Sequence, residues 1–176
     1  MKEERKFHRP FGVYGVNTEN DKLLVIHKKR GPYANRFDLP GGSLEPEESL
    51  ATAMRREFLE ETGIKIAIEK QIGMADFLFP CIWREYTHIH HIAAFYTVRK
   101  VGGEISIPKQ FEGQDSFGAE WVSLNDLSIH NASPLVLKAI EWIQTGSIGL
   151  EVTWFEKWEV KKSLQIEGKK ESTDDY

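Results

Sequence analysis

A chain of 176 residues, 40% of them hydrophobic, is long enough for one domain with a full core and shows no internal repeat. The formal charge of −4 leaves no broad basic footprint, which weighs against a nucleic-acid polymer as partner but admits a small anion through a local field. With Cys81 alone, an N-terminal MKEERKFHRP that lacks a signal's apolar core and no apolar run near the ~18 residues of a membrane span, no internal disulfide or membrane partner is expected, and the location is read as cytoplasmic.

The first elements are FGVYGVN (residues 11–17) and KLLVIHKK (22–29), both strand-like, with turn residues between them, so they read together as a hairpin. RGPYANRFDLPGGSLEPEE (30–48) is dense in Gly and Pro and reads as a structured loop. Ser49 is a plausible helix cap, after which Leu50, Ala53, Met54 and Phe58 keep helical spacing until Gly63. Three extended segments follow, over residues 64–79, 87–98 and 118–124. A second helix is capped by Ser133, takes Pro134 at its first position and stops at Gly146. This order predicts an α+β fold, with helices on both faces of a mixed sheet. Residues 1–150 form the expected domain, and 151–176 a C-terminal extension. In that extension TWFEKWEV suits an added edge strand anchored by Trp154 and Trp158, and the polar stretch beyond Gln165 is expected to be mobile.

Within the first helix, RREFLEETG (55–63) puts Glu57, Glu60 and Glu61 at spacings of three and four, on one face. Like charges so placed cost roughly 0.2–0.5 kcal/mol per pair in an isolated helix, and the helix dipole opposes negative charge in the last turns. At ~100° per residue, Leu50, Ala53 and Met54 lie within about 60° of Glu57, so the carboxylates continue the face that begins in the core. Partial desolvation there requires a neutralising partner. A hard divalent cation with oxygen ligands is one reading, and an unusual solvated acidic face is the other.

GSLEPEESLATAMRREFLEETGI (42–64) resembles the signature of the Nudix hydrolase family at Gly42, Glu48, Arg56, Glu57, Phe58, Glu60, Glu61, Gly63 and Ile64, and the preceding FDLPGG is also typical. The resemblance implies an α/β/α sandwich and a hydrolase that cleaves a diphosphate joined to another group, dependent on Mg²⁺ or Mn²⁺. It implies metal binding by Glu57, Glu60 and Glu61 and by a backbone carbonyl of Gly41 or Gly42. Glu57 is also the candidate base for the attacking water, with Arg56 and Glu48 as the supporting pair that fixes the loop against the helix. A further acidic ligand is expected from FEGQDSFGAEW, with Glu112 favoured over Asp115 and Glu120. The small-molecule substrate is expected to be a nucleoside di- or triphosphate, with ADP-ribose as the alternative suggested by Pro80. Arg30 or Lys29 is expected to meet its phosphates, and Phe37, Trp83 or Tyr86 to stack on its base. His88 and His90 share one strand face and His91 takes the other, which favours structural or substrate-adjacent roles over a zinc site. A second copy of the chain is an option as partner. Rival readings are a noncatalytic nucleotide sensor and an isoprenoid diphosphate isomerase, against which stand the intact signature and the absence of a cysteine in a matching motif.

Overall fold

In the computed structural model, which describes residues 4–109 and 114–162, the chain builds ten strands and two helices over those residues. In chain order these are β1 (Phe7–His8), β2 (Phe11–Val16), β3 (Thr18–Glu19), β4 (Lys22–Lys28), β5 (Phe37–Asp38), β6 (Gly41–Gly42) and α1 (Leu50–Thr62). Then come β7 (Ile64–Trp83), β8 (Tyr86–Gly103), β9 (Ser116–Ser123), α2 (Pro134–Thr145) and β10 (Thr153–Trp154).

Two sheets form. A mixed six-stranded sheet runs β10-β7-β8-β2-β6, with β1 also on β8, and a four-stranded antiparallel sheet is centred on β4, which pairs with β3, β5 and β9. The hairpin expected between residues 11–17 and 22–29 is therefore absent. β2 lies parallel to β8, from Phe11 opposite Ile92 to Val16 opposite Thr97, and antiparallel to β6 on its other edge. β4 has its own neighbours, so neither strand has an edge free for the other. Leu23, Leu24, Val25 and Ile26 are all fully buried, and an apolar run covered on both faces is the mark of a central strand. The hairpin that does form is its tip: Thr18 and Glu19 pair with Leu23 and Lys22 around Asn20 and Asp21, both at positive φ.

β7 and β8 are longer than the expected segments and make one antiparallel hairpin across the molecule. Alternation along β8 splits the core between two layers. Ala93 and Phe95 join Leu135, Val136 and Ala139 of α2, whereas Ala94 and Tyr96 join Ala53, Met54 and Phe58 of α1. The helices thus cover opposite faces, as the sandwich requires.

Both helices start and stop where local chemistry places them. Ser49 Oγ accepts from Thr52 N at 3.1 Å and Gly63 closes α1 in the left-handed conformation, while Ser133, Pro134 and Gly146 do the same for α2. Leu50, at the first position of α1, departs from the expected core face and is 38% exposed. Ser49→Ala is expected to cost about 0.5–2 kcal/mol, read as a lowered thermal midpoint with unchanged far-UV ellipticity. An unchanged midpoint would mean the cap contributes nothing.

The C-terminal strand forms as expected, with β10 parallel to β7. Trp158 is an anchor: its Nε1 donates to Pro32 O at 2.8 Å and the Arg36 guanidinium lies 4.7 Å from its ring centre. Trp154 is not, being exposed on the rim beneath Arg5. The stretch beyond Gln165 lies outside the described residues. Among the described residues no helix is long and apolar enough to cross a membrane.

Candidate active site

The face of α1 that continues its apolar stripe delivers a gradient of carboxylates. Glu61 is 3% exposed and Glu57 and Glu60 follow with side chains 17% and 43% exposed, so the charge runs from the core to the rim. Glu61 Oε2 accepts from Gly41 N at 2.8 Å, and burial pushes its carboxyl up to about 8 against the opposing pull of Lys28. Burial also raises Glu57, opposed by its bond to Arg56.

β6 is pressed between β2 and this helix, which explains its two glycines. Gly41 has φ +145°, and a Cβ there would lie 2.1 Å from the Val13 carbonyl oxygen. A Cβ on Gly42 would lie 2.7 Å from Glu57 Oε1. Any side chain here would displace the strand or the carboxylate.

Arg56 ties the loop to the helix. Its Nε and Nη2 each donate to Glu48 at 2.9 Å, Nη1 donates to Glu57 at 2.9 Å and Glu60 at 3.3 Å, and Nη2 also reaches Ser43 O at 3.1 Å. These bonds hold the Glu48 carboxyl below the usual range and raise the guanidinium further. A lysine offers one point charge in place of a planar fork. Arg56→Lys is therefore expected to lower turnover by about 10–100-fold, the scale of losing a supporting contact behind metal ligands. The thermal midpoint should fall as well. Steady-state kinetics and calorimetry check this, and wild-type turnover would remove Arg56 from the machinery.

These groups line one end of a cavity of about 810 Å³. Gly41, Gly42, Arg56, Glu57, Glu60 and Glu61 all reach it, and so do Arg30 and Trp83 from the expected substrate set. Glu48 stands behind Arg56, outside the lining. Phe37 is placed elsewhere, its ring 4.9 Å from His27 and packed against the core. Tyr86 stacks on Trp83 at 5.9 Å, and His8, which also lines the cavity, tilts against the same indole at 4.5 Å. Glu112 lies outside the described residues. Asp115 lines the cavity, and Glu120 instead pairs with His27 at 2.5 Å on the exposed side of β9.

Several lining residues had no sequence signal of their own. Lys28, rather than Lys29, turns inward from the end of β4, with its Nζ 3.3 Å from Asp115. Burial works to lower its pKa, and the charges of Glu61, Asp38 and Asp115 outweigh this and raise it. Asp38 is buried, accepts from Ser133 Oγ at 2.6 Å and Leu39 N at 2.9 Å, and is raised by burial. Strand alternation does not mark Lys28, because the register of β4 against β9 shifts between Ile26 and Lys28.

Residues 6–144 match the family model of the NUDIX domain. The chain belongs to the Nudix family. An ADP-ribose pyrophosphatase of Methanocaldococcus jannaschii is 30% identical over 120 residues, covering 68% of this chain and 65% of that protein. An 8-oxo-dGTP diphosphatase of Buchnera aphidicola is 24% identical over 120 residues, covering 68% of this chain and 81% of its own. The crystal structure of a MutT NUDIX hydrolase from Burkholderia pseudomallei is similar with a TM-score of 0.57 at 26% identity, over 76% of this chain and 97% of that one. The match thus spans just under two thirds of the archaeal relative's length.

Nudix hydrolases generally use a divalent metal. The donors at the acidic end suit one: Glu57, Glu60, Glu61 and Asp115 all offer hard oxygen, and a buried carboxyl held up near 8 lacks sufficient positive charge around it. Among the described residues no three acidic, imidazole or thiol groups converge into a finished shell. Glu57 and Glu60 turn to Arg56 and Glu61 to Gly41, so a cation would compete with these bonds for the same oxygens.

Proposed function

We propose that this Nudix domain hydrolyses the diphosphate linkage of a nucleotide-type small molecule, with Mg²⁺ or Mn²⁺ and with water as nucleophile. The observation that carries the reading is one cavity lined both by the carboxylates of α1 and by the indole of Trp83. A diphosphate joined to a ring system calls for both kinds of group.

In this scheme Glu57, Glu60, Glu61 and a carbonyl of Gly41 or Gly42 hold the cation. When bound, the cation supplies positive charge against the diphosphate oxygens and acidifies water. Glu57 takes the water proton, its basicity raised by burial and its position held by Arg56. Lys28 and Arg30 supply further positive charge to the phosphates, and Asp115, beside Lys28, is the described carboxylate best placed to assist. Trp83 supplies aromatic surface for a base, beside the His8, Tyr86 and Arg84 groups that already contact its ring. The C-terminal extension belongs to the working domain in this reading, supported by Val160, which lines the cavity two residues past the Trp158 anchor. Location in the cytoplasm is part of the same proposal, supported by the single cysteine.

The substrate proposal covers nucleoside di- and triphosphates and ADP-ribose, and the relatives are named for ADP-ribose and 8-oxo-dGTP. Incubation of the full chain with ADP-ribose, dGTP and 8-oxo-dGTP in ¹⁸O-water with Mg²⁺, followed by mass analysis, tests it. Cleavage of at least one, with ¹⁸O in a single phosphate product, is expected. No cleavage of any of them with either cation would overturn the reading.

A further inference from the structure

The cavity wall also carries a buried polar network that the hydrolysis scheme leaves unused. His91, 6% exposed on β8, sits between two tyrosines that are buried as well. Its Nε2 is 3.0 Å from the Tyr14 hydroxyl and its Nδ1 2.9 Å from the Tyr33 hydroxyl. All three residues line the cavity. Burial, reinforced by Lys28 and His8, lowers the imidazole to about 3, so the ring is neutral near pH 7.

A neutral imidazole has one N–H and one lone-pair nitrogen, so it donates to one hydroxyl and accepts from the other. The two hydroxyls and the ring together hold three such protons, and the two hydrogen bonds use two of them. One hydroxyl proton is left, and among the described residues no acceptor takes it. Were the ring protonated, both hydroxyl protons would be released, so a spare donor exists in either state. A buried donor without an acceptor is destabilising unless something entering the cavity accepts from it.

The network is held rigidly. The Tyr14 ring lies back along β2, and a Cβ on Gly12 would come within 2.6 Å of its hydroxyl oxygen. Tyr33 meets Trp158 edge-on at 5.8 Å and Phe79 at 5.7 Å. Ile89, two residues earlier on the same strand face as His91, lines the cavity with Cys81 and Ile82, so apolar groups flank the network, and the charges of Asp38, Glu61 and Glu57 also act on Tyr14.

We propose that Tyr14, His91 and Tyr33 form a recognition relay that gives one hydroxyl donor to the organic group joined to the diphosphate, at a sugar oxygen or a base carbonyl or ring nitrogen. This rests on the hydrolase reading above. His91 is the positioning residue: its tautomer decides which tyrosine donates. With the proton on Nδ1 the ring donates to Tyr33 and frees the Tyr33 proton; with the proton on Nε2 it frees that of Tyr14. A site so built discriminates against analogues that lack the acceptor.

The test combines kinetics with a spectrum that does not need turnover. Tyr14→Phe and Tyr33→Phe keep the ring packing and remove one hydroxyl each. With ADP-ribose or dGTP, the variant lacking the donating hydroxyl is expected to raise KM about 3–10-fold with kcat within about twofold. His91→Gln, which keeps one donor and one acceptor, should lie nearer the wild type than His91→Leu. Long-range ¹H–¹⁵N spectra of the ring should show a single neutral tautomer at pH 7 that names the same tyrosine as the kinetics. KM within twofold for both Phe variants, or a loss confined to kcat, overturns the relay. If ADP-ribose, dGTP and 8-oxo-dGTP are all left uncleaved with either cation, the hydrolase reading fails and the relay is judged by AMP and dGMP alone. A ring-nitrogen shift on their addition that is lost in one Phe variant supports it, and no shift overturns it.

Discussion

Glu57→Gln is expected to lower turnover by about 10²–10⁴-fold, the range for losing a positioned proton acceptor, while the fold persists. The substitution keeps side-chain shape, and it retains an oxygen that can accept from Arg56 Nη1. What it removes is the charge that would take a proton from water or hold a cation. Glu61→Gln should also reduce turnover by orders of magnitude, because the deepest carboxylate of the cluster loses its charge while its oxygen still accepts from Gly41 N. Wild-type turnover in either variant, or full turnover of the parent in excess chelator, would sink the assignment. Circular dichroism of each variant separates lost chemistry from lost folding.

Without metal, the thermal midpoint is expected to fall as pH rises from about 6.5 to 8. Glu61 is raised from 4.5 to about 8, so above pH 4.5 the folded chain binds a proton that the unfolded chain has released. Stability from this group is present in full below 4.5 and is lost as pH rises through 8. Glu57 and Asp38, also raised, act with the same sign. His91 has the opposite sign: lowered from 6.5 to about 3, it costs stability as pH falls below 6.5. Glu48, held low by Arg56, likewise loses its contribution only at acid pH. The opposing groups offset each other below 6.5, which leaves the window up to pH 8 to Glu61. At about 1.4 kcal/mol per pH unit, the loss across it is on the order of 2 kcal/mol, or roughly 4–8 °C for a chain of this size. Calorimetry in chelator reads it directly. Glu61→Gln should flatten the slope, and Mg²⁺ should raise the midpoint more at pH 8 than at 6.5. A midpoint that rises across the window would show that the Glu61 carboxyl is not held up in the fold.

What was legible in the sequence is what neighbours along the chain decide. Ser49 and Gly63 bound α1, and Ser133, Pro134 and Gly146 bound α2, because capping involves groups within a few residues. The shared face of Glu57, Glu60 and Glu61 follows from helical pitch alone. The bonds of Arg56 to Glu48 and the closeness of Gly42 to Glu57 likewise involve residues within the signature, whereas Gly41 is required by the approach of Val13 on β2.

Contacts between distant segments were decided by the tertiary structure. Residues 11–17 and 22–29 have the composition of a hairpin, yet β8 and β6 occupy the edges of β2, and a strand pairs with whichever partner the whole sheet leaves free. Phe37 and Trp83 are equally plausible stacking partners by type, but only Trp83 stands at the cavity, since Phe37 faces the core beside His27. Lys28, the last residue of β4, lines the cavity beside Asp115 in place of its neighbour Lys29, because the register of β4 against β9 shifts between Ile26 and Lys28. Tyr14, Tyr33 and His91 come from separate segments, Tyr14 and His91 standing 77 positions apart, and meet only when β2, β8 and the loop before β5 close on one another. Residue type and spacing set which groups this protein could use; burial and strand pairing decided which of them face the same space and how strongly each holds its proton.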